Sequence, residues 1–225
     1  LSNALGHAVT VTNRGLHTTC SVNSQQNRVT PDWPDTVTRE LPGEAFYLFD
    51  PVDGTWFSPT YHPLNDPAAD YLADFGADGT ATFRTTRGQL ETELTVFVPP
   101  DEPAGVYRLV VRNRGPARRL RVAPYFQLVL AAQPEHAGPL LIRKDAGGMV
   151  LFENPRNRFR PGPAFAAVFP APDAVETHRG RFFGPGRDVG RPAMLERGEP
   201  FPGPTTDDRP VAAFLLTLDL PANGE

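Results

Sequence analysis

The sequence predicts an all-β fold, a sandwich of short antiparallel strands, on three observations. Proline (26) and glycine (20) make up about a fifth of the 225 residues, against roughly 12% in average usage. Proline inside a helix removes a hydrogen bond and clashes with the preceding turn, which excludes a bundle of long helices. Apolar residues recur with period two, and each such run stops at a cluster of turn-forming residues. At 40% hydrophobic and 21% charged the chain is too apolar for a disordered segment. Its length suits one domain spanning 1–225 with an ordinary core.

The first expected strands are Val9–Thr12 and Ala45–Asp50, then Thr80–Thr85 behind the hairpin turn Gly76-Ala-Asp-Gly79. The segment Leu90-Glu-Thr-Glu-Leu-Thr-Val-Phe-Val98 places Leu90, Thr92, Leu94, Val96 and Val98 on one face and Glu91, Glu93, Thr95 and Phe97 on the other. Pro99-Pro100-Asp101-Glu102-Pro103-Ala104-Gly105 cannot continue a ladder and reads as a turn. Alternation resumes over Val106–Asn113, with Tyr107, Leu109 and Val111 opposite Arg108, Val110 and Arg112. Beyond the turn at Arg114–Ala117, Leu120, Val122 and Phe126 carry it onward. Leu140–Arg143 and Met149–Phe152, joined at Ala146-Gly-Gly148, precede Phe165–Phe169 and Val211–Leu220. Only Pro67–Phe75 and Tyr125–Ala132 invite a short helical turn.

The alternation also specifies a register. Leu94 and Val96 share a face with Leu109 and Val111 only if paired residue numbers sum to an odd number, because a one-residue slip turns every side chain over. That register puts Glu91 and Glu93 on the face of Arg108, Arg112 and Arg114. Two carboxylates so close resemble a glycosidase pair; cross-strand charge pairing on a wet face is the simpler reading. The run Arg108, Arg112, Arg114, Arg118, Arg119 and Arg121 likewise reads as a solvated hairpin edge.

Composition narrows the function classes. A net charge of −4 and a pI near 5.8 provide no motive for nucleic acid or an anionic membrane as partner. No stretch is long and apolar enough for a membrane helix, and no signal peptide is legible at the start. Cys20 is the one cysteine, which excludes an internal disulfide and a Cys-rich zinc site and fits a reducing, cytoplasmic compartment. There is no G-x-S-x-G elbow, phosphate-binding loop or H-E-x-x-H. His7, His17, His62, His136 and His178 are scattered, so no metal, no cofactor and no catalytic residue is expected. Gly184-Pro-Gly-Arg-Asp-Val-Gly190 is superficially dinucleotide-like, but Pro185 and Pro192 are expected to block the helix such a site needs. Trp33, Trp56, Phe57, Tyr61 and His62 cluster in Pro-rich segments, where rings either plug the ends of a sandwich or stack on sugars.

Six motifs occur in order: Gln26-Asn-Arg-Val-Thr-Pro31, Pro42-Gly-Glu-Ala-Phe-Tyr-Leu-Phe-Asp50, Trp56-Phe-Ser-Pro59, Glu91-Thr-Glu-Leu-Thr-Val-Phe-Val-Pro-Pro100, Val110-Val-Arg-Asn113 and Phe183-Gly…Arg191-Pro-Ala193. Together they resemble the N-terminal sandwich domain of the family 94 glycoside hydrolases and phosphorylases, most of all that of bacterial cyclic β-1,2-glucan synthases. The resemblance runs from Leu1 to about Leu220. It implies a large antiparallel super-sandwich of the galactose-mutarotase-like type, non-catalytic by itself, which packs on a helical barrel of the same polypeptide and takes part in a homodimer. It also implies that the chain is part of a larger multidomain enzyme, one that is anchored in the inner membrane in the glucan synthases. The early loop, which approaches a sugar cleft in the phosphorylases, corresponds to Ser21–Arg28. Here the segment ahead of it is shorter and an aromatic near Cys20–Ser21 is missing, leaving Gln25, Gln26, Asn27 and Arg28 as the carbohydrate-binding candidates. Planar amides and a guanidinium suit paired contacts to sugar hydroxyls. The expected function is thus a carbohydrate-associated domain of a glucan-processing enzyme that binds β-glucan weakly alone. A free-standing carbohydrate-binding module and an aldose-epimerase-like enzyme are the alternatives; the latter needs a paired acid and base at one sugar carbon.

Overall fold

The computed structural model describes residues 1–15, 17–23, 25–31, 43–132, 139–145, 147–186, 189–203 and 209–225. Trp33 and His136 lie outside them. Among the described residues the regular structure is nearly all antiparallel strand, as expected, with two five-residue helices.

One large sheet carries β1 (His7–Val11), β2 (His17–Ser21), β3 (Glu44–Phe49), β4 (Trp56–Phe57), β9 (Arg118–Gln127), β13 (Ala174–His178) and β14 (Pro210–Leu220). Its order is β1-β2-β3-β9-β14-β13, with β4 paired to β3. A four-stranded sheet runs β5 (Asp70–Phe75), β6 (Thr80–Arg87), β7 (Leu90–Phe97) and β8 (Val106–Asn113), and a three-stranded sheet runs β10 (Leu141–Lys144), β11 (Val150–Glu153) and β12 (Ala164–Ala166).

Both smaller sheets pack on one face of the large sheet. Leu48, Leu120, Val122 and Leu220 meet Leu90 and Val111 of the four-stranded sheet, while Ala212, Phe214 and Leu216 meet Val150 and Phe152 of the three-stranded one. The opposite face is covered by α1 (Arg179–Phe183) and α2 (Ala193–Arg197), whose Phe182, Phe183, Met194 and Leu195 seat on Tyr47, Tyr125 and Ala213. Hence every residue of β3 is buried: a strand covered on both faces needs apolar side chains at odd and even positions alike.

The β7–β8 register is Leu94↔Leu109 and Thr95↔Arg108, an odd sum throughout. Leu90, Thr92, Leu94 and Val96 are buried, and Glu91 and Glu93 lie on the wetter face. Their ion partners are Arg114 and Arg84, each at 2.9 Å, while Arg112 pairs with Glu225 at 2.7 Å. The Arg114 hydrogen bond holds the Glu91 carboxyl below its ordinary value. At Gly76–Gly79, Gly79 takes φ +82 and the Thr80 amide donates to Asp78, the positive φ that this hairpin needs and glycine supplies.

The helical expectations are corrected. Within Pro67–Phe75 only turn residues precede β5, and Tyr125 to Gln127 ends β9; in both segments strand pairing overrides local propensity. The helices form instead beside the Gly184–Gly190 segment, and Pro192 is the N-cap of α2 rather than a barrier to it. A proline at a helix entrance loses no intrahelical bond, because the first turn's N–H groups are unpaired anyway. Residues 187 and 188 of that glycine segment lie outside the described ones. Four strands escaped the period-two reading: β2, β4, β5 and β13. Among the described residues no helix is long and apolar enough to cross a membrane.

Candidate functional site

The expected carbohydrate-binding loop is held rigid from below. Behind β2, the Asn23 side-chain carbonyl accepts the Gln25 and Gln26 amides at 3.0 and 2.9 Å, and its Nδ2 donates to Gln26 Oε1 at 2.8 Å. The Asn27 carbonyl accepts the Ser21 amide at 2.9 Å, closing the loop, and the Arg28 amide donates to the Ala131 carbonyl at 2.9 Å. An Asn side chain that imitates a backbone turn explains why so polar a stretch folds locally. Gln25 is left exposed and Gln26 and Arg28 half-buried.

Asn27 is turned inward and 1% exposed. Its Oδ1 accepts Asn157 Nδ2 at 2.6 Å, and Asn157 Oδ1 in turn accepts the amides of Phe159 and Arg160 at 3.0 and 3.3 Å. One carboxamide therefore clips the β11–β12 connection onto the loop. Asn157 and Phe159 carried no signal in the sequence, since 130 positions separate the two asparagines.

A cleft of about 980 Å³ runs between β8 and β12, the facing edge strands of the two smaller sheets. Val122, Pro124 and Phe126 of β9 and Leu216 and Leu218 of β14 line it, as do His7, Asn27 and Arg160. Beside them lies a polar knot on Glu44, which is 1% exposed. Thr19 and Thr30 donate their hydroxyls to Glu44 Oε1 at 2.5 and 2.8 Å, and the Tyr107 hydroxyl donates to Oε2. Burial pushes the Glu44 carboxyl up despite these three donors, and pushes the Tyr107 hydroxyl well above its usual value. The knot ties β2, β3 and β8 across two sheets; with both oxygens engaged by protein hydroxyls, its geometry is that of a structural tie. The signal for it was a lone carboxylate opening the apolar run Glu44–Phe49.

Among the described residues, the Pro-rich aromatics Trp56, Phe57, Tyr61 and His62 pack against the sandwich. Phe57 is fully buried and His62 is 8% exposed. Trp56 packs on Phe49 at 4.6 Å, and Tyr61 packs on Tyr71 under the Arg14 guanidinium. Burial and the nearby Arg160 charge lower the His7 pKa, and His17 is fully buried. Among the described residues no three His, Cys, Asp or Glu side chains gather as a metal site.

From residue 2 to residue 225 the sequence matches the glycosyl hydrolase 94 supersandwich domain. The chain belongs to that family. Over 201 residues, 88% of its length, this supersandwich domain is 28% identical to the cyclic beta-(1,2)-glucan synthase NdvB of Rhizobium meliloti (strain 1021), and it spans about 7% of that relative's length. Family membership accounts for the supersandwich fold. The polar loop and the cleft are features of this chain's own geometry.

Proposed function

We propose that this supersandwich domain is a non-catalytic, carbohydrate-associated part of a larger glucan-processing enzyme, of the glucan synthase or disaccharide phosphorylase type, and that it packs on a catalytic barrel and helps to hold the sugar. The observation that carries the reading is the loop Gln25–Arg28: a backbone locked by Asn23, Asn27 and the Ala131 bridge presents planar polar groups of Gln25, Gln26 and Arg28 at the surface. Locking the loop before a ligand arrives reduces the ordering cost of binding. The similarity to a glucan synthase supports β-glucan as the ligand class.

Support for the packing half comes from the outer face of the three-stranded sheet. Phe152 and Val150 fill its inner face, while Leu141, Phe165 and, just beyond β12, Phe169 are 62%, 59% and 98% exposed. Large apolar side chains left in water on one small sheet and its flank suit a surface that another domain covers.

The test is Gln26→Ala with Arg28→Ala in the full-length enzyme. The Michaelis constant for its glucan substrate is expected to rise about tenfold, the loss of two hydrogen-bonding side chains of moderate worth. An unchanged constant with folding intact would reduce the loop to ordinary surface.

A further inference from the structure

Sugars offer two chemistries at once: hydroxyls at the ring edge and apolar C–H groups on the ring face. The Gln25–Arg28 loop supplies groups for the first and none for the second, and among the described residues Trp56, Phe57, Tyr61 and His62 pack against other sandwich side chains. We propose that Phe159 is the stacking platform of this surface and that Asn157 positions it, so that Phe159, Gln25, Gln26 and Arg28 form one β-glucan half-site. The proposal rests on the carbohydrate reading given above.

Phe159 is 51% exposed, although the core one strand away takes a phenylalanine readily: Phe152 is 1% exposed. Its backbone is fixed, because its amide and that of Arg160 both donate to Asn157 Oδ1. The same carboxamide donates to Asn27 at 2.6 Å, so Phe159 stands two hydrogen bonds from the middle of the Gln25–Arg28 loop. Asn27 is the buried member of that loop, and its neighbours Gln26 and Arg28 both retain exposed surface. An exposed aromatic on a fixed backbone, tied through Asn157 to the loop that carries planar amides and a guanidinium, supplies the apolar face that a sugar ring requires beside a few placed polar groups.

The experiment titrates a linear β-1,2-linked glucan oligosaccharide into the 225-residue chain and follows the Gln25 and Gln26 side-chain amides and the Phe159 ring by NMR. Saturable shifts at all three are expected. Phe159→Ala should weaken binding about tenfold, Phe159→Leu, which keeps apolar bulk but has no ring face, by a similar factor, and Phe159→Trp should retain it. The phenylalanine is exposed, so dispersed spectra are expected for all three variants. If Phe159→Ala and Phe159→Leu bind as the parent chain does while the Gln25 and Gln26 amides still shift, the stacking role is overturned and the loop's carbohydrate role stands. If the parent chain shows no shift at Gln25 or Gln26, the carbohydrate role itself falls, and the stacking role with it.

Discussion

His17 is enclosed by the rings of Phe46, Phe83 and Tyr107 at 6.2, 5.3 and 6.0 Å, and burial lowers its pKa from 6.5 to about 3. The folded chain keeps this imidazole neutral, while the unfolded chain protonates it below 6.5. The stability it contributes is therefore complete above 6.5 and lost as pH falls from there towards about 3, with a slope of about 1.4 kcal/mol per pH unit. Glu44 acts in the opposite sense. Burial raises its pKa above the usual 4.5, so its contribution is complete below that value and is lost as pH rises through the folded pKa. Urea denaturation across this range should show the parent chain losing stability relative to His17→Phe on acidification, and relative to Glu44→Gln as pH rises. Below the usual carboxyl value of 4.5, where the Glu44 contribution is complete, Glu44→Ala should cost about 2–4 kcal/mol, since three hydroxyls lose their partner, and the cost should shrink as pH rises. Neither behaviour was legible from composition: His17 read as one of five scattered histidines and Glu44 lay just ahead of the expected strand Ala45–Asp50, and only the sheets brought together around them determine their charge.

Among elements, α2 is the one whose survival depends most on contacts distant in sequence. It has five residues, too few for an isolated helix to persist. Arg121 of β9 donates Nη1 to the Leu195 and Glu196 carbonyls at 2.7 Å each, satisfying acceptors that the helix end leaves open. Gly198 ends the helix at φ +79, and a Cβ there would come within 2.9 Å of the same guanidinium. Arg121→Ala should speed amide hydrogen exchange across Met194–Gly198 at least tenfold with little change in the β6–β7 amides. Gly198→Ala should destabilise the chain by about 1–2 kcal/mol, the cost of a left-handed non-glycine residue, measured by thermal denaturation. The β7–β8 hairpin, by contrast, was legible down to its register, because one buried and one wet face demand a single pairing. β14 was legible as a strand although it is buried on both faces; β2 and β13, short and mixed in polarity, were not.

For the whole molecule, the three-stranded sheet is the element that looks outward. Replacing Phe165 and Phe169 by lysine should leave the isolated chain's stability within about 0.5 kcal/mol of the parent, as surface changes usually do, because both rings lie in water. On the proposed packing, the same pair should loosen the domain from a catalytic barrel of the same polypeptide. Limited proteolysis between the two would report that, and an unchanged cleavage pattern would place the packing face elsewhere.

The sequence alone determined the all-β class, the family, the β7–β8 register and the stretch in which a polar loop would lie, since each of these follows from local period, local turn chemistry or motif order. Only the tertiary structure decided that Asn27 faces inward while Gln25, Gln26 and Arg28 keep open surface, that Glu44 is knotted to three hydroxyls, and that Asn157 ties the Phe159 backbone to Asn27. The physical reason is range. The Asn27–Asn157 bond joins residues 130 positions apart and Tyr107 reaches Glu44 across 63, and no periodicity within a strand encodes a contact between two sheets.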